Sequence, residues 1–444
     1  MIAVRLQTPD KIRDLQRKLY FKAKREPEFR FYLLHDKVWR EDILQHAYQL
    51  VRANGGAPGI DGVTFQSIES GECEAKFLSQ LQQELKEKTY RAQPVRRVYI
   101  PKVDGKRRPL GIPTIGDRVA QMAVKMVIEP IFDAGFKKCS FGFRPKKDAH
   151  QAIGAIRQAL YTAHPYVLDA DLEQYFDTIP HDQLLKTVAS RISDRYILGW
   201  IKQWLKAAVV EEDEQGKRRI SGGKNSRCGT PQGGVISPLL ANIYLNLFDR
   251  MFLSYCRLTG LAAELVRYAD DFVILMRGGV EQTLAAVKQM LEQMGFKLNE
   301  KKSRLMDART GSFDYLGFTF SRKKSSKTGK VITLIEPSQE SERYFRDEVR
   351  SLTARWTHCL PQKQVLEQVN RYVQGWVNYF YLYNSTRVFC RQRFFLEQRT
   401  RKYLQGRRQT KGFGYYRWPT ARLYKEFKLC AIPVRPPYRQ PRMP

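Results

Sequence analysis

The stretch that most restricts the chain runs from Leu265 to Met276 and reads L-V-R-Y-A-D-D-F-V-I-L-M. Two short apolar runs flank a charged pair, a pattern that predicts a β-hairpin with Asp270 and Asp271 at its tip. Adjacent carboxylates repel one another, so such a tip is stable where a cation neutralises it, and hard cations such as Mg²⁺ take oxygen ligands. An ordinary Asp-rich turn is spelled the same way. The choice between the two rests on what the rest of the chain supplies.

A second acidic strand lies about a hundred residues earlier, in Y-V-L-D-A-D-L-E-Q-Y-F-D from Tyr166. Alternation places Asp169 and Asp171 on one face and Leu168, Ala170 and Leu172 on the other. Two carboxylates on a largely apolar strand are costly to bury without a counter-ion. If this strand neighbours the hairpin in a sheet, Asp171, Asp270 and Asp271 meet. Such a triad is able to hold two Mg²⁺ ions, one activating a primer 3′-hydroxyl and the other binding a triphosphate. Phe176, five residues beyond Asp171, is placed either to wall a nucleotide pocket or to fill a core.

Composition narrows the partners. Lys and Arg outnumber Asp and Glu by 77 to 45 in 444 residues, a net charge of +32. An excess of that size is expensive to hold compact without a polyanion, and nucleic acid is the first candidate. The 43% hydrophobic content, with 12% aromatic residues, excludes a disordered tail and allows two or three domains. Seven cysteines, none closer than the 28 positions from Cys228 to Cys256, form neither C-x-x-C pairs nor a small disulfide framework. They are expected as reduced thiols in a cytoplasmic protein. The 21 uncharged residues Cys228–Phe248 include Pro231, Gln232, Gly233, Gly234 and Pro238, so they predict a loop and a buried helix rather than a membrane span.

The remaining segments follow in order. Leu15, Leu19 and Ala23 predict a basic amphipathic helix in residues 1–36, followed by a second helix from Asp42 to Val51 and a glycine-rich turn at Asn54–Val63. Val95 to Ile112 predicts two strands joined at Asp104-Gly105, with Arg96, Lys102 and Arg108 among the cations on their flanks. Cations on a rigid hairpin are suited to clamping a triphosphate. Helices are expected over Arg118–Ile128, Asp182–Val209, Leu239–Phe252 (N-capped by Ser237) and Val280–Met294, and one strand over Phe313–Phe320. Gln232 sits in a tight turn where its amide can reach a base or sugar. Past Pro337 three helical segments are legible, Ser338–Trp356, Gln362–Tyr383 and Ser385–Gln405, the second with Val365, Val369, Val373, Trp376 and Phe380 as its core face. Residues 387–444 carry 16 Lys/Arg against Glu397 and Glu426, with aromatics interleaved, a composition suited to RNA or single-stranded nucleic acid.

Taken in order, Y-I-P-K with R-P-L-G-I-P, F-G-F-R-P, D-A-D-L-E-Q-Y-F-D, T-P-Q-G-G-V-I-S-P-L-L-A-N, Y-A-D-D, L-N-E-K-K-S and Y-L-G-F resemble the successive blocks of group II intron-encoded reverse transcriptase/maturases, across roughly residues 37–320. G-W-V-N-Y-F at Gly375–Phe380 resembles the thumb/maturase domain of that family. The resemblance implies an α+β right-hand polymerase, with fingers and a palm bearing an antiparallel sheet, followed by an α-helical thumb/maturase domain. On that pattern residues 1–36 are a basic helical extension, 37–115 fingers, 116–336 the catalytic palm with finger elements, 337–405 a helical thumb/maturase domain and 406–444 a basic aromatic tail. It implies Asp171, Asp270, Asp271 and the carbonyl of Leu172 as ligands for two Mg²⁺ ions, with Mn²⁺ as a substitute. It further implies Arg96, Lys102 and Arg108 on the triphosphate, Phe176 against a ribose 2′-hydroxyl, Gln232 near the nucleotide and Lys302 as a proton donor to pyrophosphate. The implied function is RNA-directed DNA synthesis together with binding of intron RNA in splicing and retrohoming. The partners are then intron RNA, an RNA template with DNA primer, deoxynucleoside triphosphates and target DNA, with no membrane. A splicing-only maturase and an enzyme recruited to host defence or DNA repair are the alternatives. Only Cys430 lies in the last 54 residues, so the Cys/His-rich endonuclease module of some members is not expected here.

Overall fold

The structure, a computed structural model, describes residues 6–434 apart from 71–73, 102–106, 163, 213–214, 216, 224, 231–232, 325–328, 408–411 and 413. Two compact units share the chain. The first comprises Met1–Asp148, Ala170–Val273 and Gly279–Ser303; the second comprises Ala149–Asp169, Ile274–Gly278 and Arg304–Pro444. Lys102, Gln232 and the expected turn at Asp104-Gly105 lie outside the described residues.

The first unit is built around the helix Ile115–Asp133. Thr114 caps it by accepting the Asp117 N–H, and its apolar residues are buried almost all round, as a central helix requires. Two amphipathic helices cover it: Asp10–Arg25, which buries Ile12, Leu19 and Ala23, and Glu41–Asn54. Both confirm the periodicity of their sequences. A four-stranded sheet in the same unit runs Arg107–Ile112, Val95–Pro101, Ala208–Glu212, Arg218–Gly222. Its outer pairs are antiparallel and the central pair is parallel.

The continuous helix expected over Asp182–Val209 does not form. The chain instead makes His181–Ala189, breaks, and resumes as Arg195–Leu205 before the strand Ala208–Glu212. The break belongs to Asp194, which is buried. One carboxylate oxygen accepts the N–H groups of Tyr196 and Ile197 at 3.0 and 3.4 Å, capping the second helix. The other accepts those of Leu34 and His35 at 2.9 and 2.8 Å. A tie 160 residues long outweighs local periodicity here. A smaller correction concerns Ser237, which is the first residue of the helix Ser237–Thr259; Ile236 occupies the cap position.

The strands Ala263–Tyr268, Asp271–Met276, Tyr166–Ala170 and Arg304–Asp307 join in that order. Along the chain, Tyr166–Ala170 and Asp271–Met276 both cross from one unit to the other; Asp169 belongs to the second, and Asp171 and Asp271 to the first. In the second unit Tyr166–Ala170 pairs antiparallel with Arg304–Asp307, Asp169 opposite Arg304.

The second unit also holds a three-stranded sheet. Where one strand was expected over Phe313–Phe320, the chain forms two, Ser312–Tyr315 and Phe318–Lys324, turning at Leu316 and Gly317. Both turn residues have positive φ, 49° and 78°, which suits a tight two-residue hairpin. Phe313 and Phe320 then face each other across the pair with ring centroids 5.0 Å apart. Val331–Pro337 completes the sheet.

The helices that follow are Gln339–Leu352, Gln362–Phe380 and Thr386–Arg407. The first ends four residues before the expected Trp356, where the Thr353 hydroxyl bonds back to the Val349 carbonyl and a separate 3-10 turn begins at Arg355. Val365, Val369, Val373, Trp376 and Phe380 are all buried, with Trp376 packed between Phe345 and Phe389. A short helix, Thr420–Lys425, is tied to the last long one through Arg401, which donates to the Trp418 carbonyl and the Thr420 hydroxyl, each at 2.8 Å.

Candidate active site

The hairpin Ala263–Met276 turns at Ala269, whose φ of 59° is unusual for a residue with a side chain. It presents Asp270 half-buried and Asp271 exposed. Asp171 follows the last residue of the strand Tyr166–Ala170 and is held at three points. Its N–H donates to the Ser303 hydroxyl at 3.3 Å, its carbonyl accepts the Asn299 N–H at 2.9 Å, and its carboxylate accepts the Asn299 amide at 3.1 Å. The Lys302 ammonium lies 3.4 Å from the same carboxylate oxygen. Asn299, Lys302 and Ser303 all come from L-N-E-K-K-S, so that block supports Asp171 as a unit. Asn299 and Ser303 had no role in the sequence reading; the only signal was the block itself.

Asp171 and Asp270 are near enough to repel. The Asp270 carboxyl is pushed above the usual carboxylate range, chiefly by burial, and the charge of Asp171 adds to the rise. Arg108 and Arg267 act in the opposite sense. Arg108 stands on the strand Arg107–Ile112, which brings one expected triphosphate contact toward the acids. Among the described residues no three His, Cys, Asp or Glu side chains gather as a ready metal cage. Two hard-oxygen carboxylates in mutual repulsion are nonetheless the donor chemistry that a divalent cation such as Mg²⁺ takes.

Leu172 is buried and forms an isolated antiparallel bridge with Leu298. The flanking hydrogen bonds are made by Glu173 and Asp171, so the carbonyl of Leu172 points away from that neighbour. Phe176 is half-buried on the short helix Tyr175–Thr178, edge-on to Tyr175, and its carbonyl accepts the Thr230 N–H at 2.7 Å. That bond lays the start of T-P-Q-G-G against Phe176. Farther on, a side chain at Gly233 would strike the carbonyl oxygen of Gly111, so the same loop passes against the strand that carries Arg108.

Arg96 is placed differently from a residue committed to a triphosphate. Its Nε and Nη2 both donate to the Pro58 carbonyl, at 3.1 and 2.7 Å, and Arg118 donates to the carbonyls of Gly55 and Ala57. The glycine-rich turn is therefore gripped through its backbone oxygens by two arginines.

Residues 100–320 match the family model "Reverse transcriptase (RNA-dependent DNA polymerase)", and residues 343–424 match "Group II intron, maturase-specific domain". Protein YkfC of Escherichia coli K12 is 34% identical over 381 residues, covering 77% of this chain and 96% of that protein. The group II intron-encoded protein LtrA of Lactococcus lactis is 38% identical over 224 residues; the match covers half of this chain and 35% of LtrA. Among solved structures, apo telomerase from Candida tropicalis aligns with 54% of this chain and 55% of its own, at a TM-score of 0.41 and 14% identity.

Proposed function

The chain belongs to the group II intron reverse transcriptase/maturase family, and from that premise we propose that it copies RNA into DNA and binds a group II intron RNA to promote splicing and retrohoming. The observation that carries the polymerase reading is the pair Asp171 and Asp270. Two repelling carboxylates, one of them half-buried and pushed above its usual range, cost the fold unless a cation answers them.

In this reading Asp171, Asp270 and Asp271, with the carbonyl of Leu172, hold two divalent ions, Mg²⁺ or Mn²⁺ in its place. When bound, the ions lower the pKa of the primer 3′-hydroxyl and neutralise charge on the triphosphate and leaving pyrophosphate. The chain's own groups position the reactants, which accounts for most of the rate in phosphoryl-type transfers. Arg108 holds the triphosphate, together with Lys102, while Arg96 braces the glycine-rich turn through the Pro58 carbonyl. Phe176 bars a ribose 2′-hydroxyl, and Gln232 contacts the nucleotide. Lys302, resting on Asp171, shields that carboxylate in the resting site and gives a proton to pyrophosphate during turnover. The helices after Pro337 serve as thumb, and the basic tail grips RNA. Palm and fingers correspond to residues 116–336 and 37–115.

Primer extension on an RNA template with Mg²⁺ and deoxynucleoside triphosphates tests the reading. The wild-type protein is expected to make full-length DNA, and failure to extend under those conditions would remove the polymerase assignment. A self-splicing assay with the flanking intron RNA tests the maturase half separately.

A further inference from the structure

Arg267, two residues before the turn of the acidic hairpin, is fully buried, and so is the Asp249 it pairs with. The pairing is a two-pronged fork: Nε to one carboxylate oxygen at 2.8 Å and Nη2 to the other at 2.6 Å. The third nitrogen, Nη1, donates to the side-chain oxygen of Asn242 at 2.9 Å and to the carbonyl of Ala269 at 2.9 Å. Asn242, itself buried, passes the tie on by donating to the Gly142 carbonyl at 2.8 Å. The backbone of Arg267 is also held: its N–H donates to Cys139 and its carbonyl accepts the N–H of Phe141, both at 2.8 Å. A side chain at Gly142 would strike the backbone nitrogen of Ala269.

We propose that Arg267 is a positioning residue for DNA synthesis: its guanidinium, locked by Asp249 and Asn242, holds the Ala269 carbonyl and so fixes where the next residue, Asp270, presents its carboxylate. The inference rests on the polymerase reading above and adds to it a residue that touches neither nucleotide nor metal. Three features set Arg267 apart from a generic core ion pair. The fork uses both edges of the carboxylate, which fixes the plane of the guanidinium. The remaining nitrogen reaches the strained residue of the turn as well as Asn242 on the helix Ser237–Thr259, and so ties the two together. Of its partners, Asn242 comes from L-L-A-N and Phe141 from F-G-F-R-P, two blocks that otherwise have no stated role near the acids. A lysine at this position keeps the charge that Asp249 needs but cannot fork to Asp249 and reach Ala269 together.

The test uses full-length Arg267→Lys with two readouts. In single-turnover and steady-state primer extension, kcat is expected to fall on the order of 10–100-fold, with KM for the nucleotide and Kd for RNA within about twofold of wild type. In hydrogen exchange, the peptide spanning residues 265–272 is expected to exchange faster while the helix Ile115–Asp133 is unchanged. A kcat equal to wild type, or a parallel loss of kcat and RNA affinity, overturns the inference. Where Arg267→Lys fails to fold, Asn242→Ala decides: it leaves the Asp249 fork intact, and a smaller fall in kcat at constant KM is expected, while unchanged kcat overturns the proposal. If the wild-type protein extends no primer, the polymerase reading falls; hydrogen exchange still decides the positioning claim, and unchanged exchange at residues 265–272 sinks it.

Discussion

Asp270 carries the sharpest consequence at the scale of single residues. Burial raises its carboxyl above the ordinary value, so the folded chain keeps this proton to a higher pH than the unfolded chain does. Between the two values the native state binds more protons; stability therefore falls as pH rises through that window, and the cost persists at neutrality. Asp270→Asn should accordingly melt at a higher temperature than wild type at pH 7, with the gain shrinking as the pH approaches about 4, near the unfolded carboxylate value. The same variant should lose DNA synthesis while binding RNA normally. Thermal unfolding at several pH values with a parallel primer-extension assay checks both halves, and a lower melting temperature at pH 7 contradicts the electrostatic account. The acids themselves were legible in the sequence because carboxylates on apolar strands are conspicuous. Arg267 was not, since an arginine beside an apolar run is spelled identically whether it is solvated or buried beneath the turn.

At the scale of elements, the departures from periodicity come from specific contacts, some between distant segments and some local. Asp194 ends one helix and starts another because its second oxygen is claimed by Leu34 and His35. The hairpin at Leu316-Gly317 forms because Phe313 and Phe320 gain a stacked partner across the pair. In the helical part of the second unit a comparable polar knot joins two helices. Glu342 of Gln339–Leu352 accepts from Arg391 at 2.5 Å and from the fully buried Gln392 at 2.6 Å, both on Thr386–Arg407. Glu342→Ala leaves the Gln392 amide without that acceptor. A loss of about 1–3 kcal/mol is expected, read by urea unfolding of the full chain, and no loss would show that the knot is ornamental to stability.

For the whole molecule the governing quantity is charge. A net +32 predicts RNA binding that weakens steeply with salt, because each phosphate neutralised releases a counter-ion. Replacing exposed cations of residues 387–444, such as Arg387, Arg417 and Lys425, with neutral side chains should flatten the slope of log Kd against log salt, by roughly one unit for each phosphate left without its cation. Filter binding or anisotropy across a salt series measures it. An unchanged slope rejects this region as a phosphate-binding surface. Among the described residues no helix is long and apolar enough to cross a membrane, in line with the proline- and glycine-broken reading of Cys228–Phe248.

Chemistry and periodicity are local properties, and the sequence alone determined what depends on them: the acidic hairpin, the strand that leads into Asp171, the amphipathic helices, the ordered blocks of the family and the basic tail. Tertiary structure alone decided which groups answer one another across the chain. It set Lys302 and Asn299 on Asp171, committed Arg96 to the Pro58 carbonyl, cut one long helix in two and seated Arg267 under Ala269. The reason is physical. A side chain's partner is chosen by proximity and desolvation, and neither quantity exists until segments a hundred residues apart have been packed together.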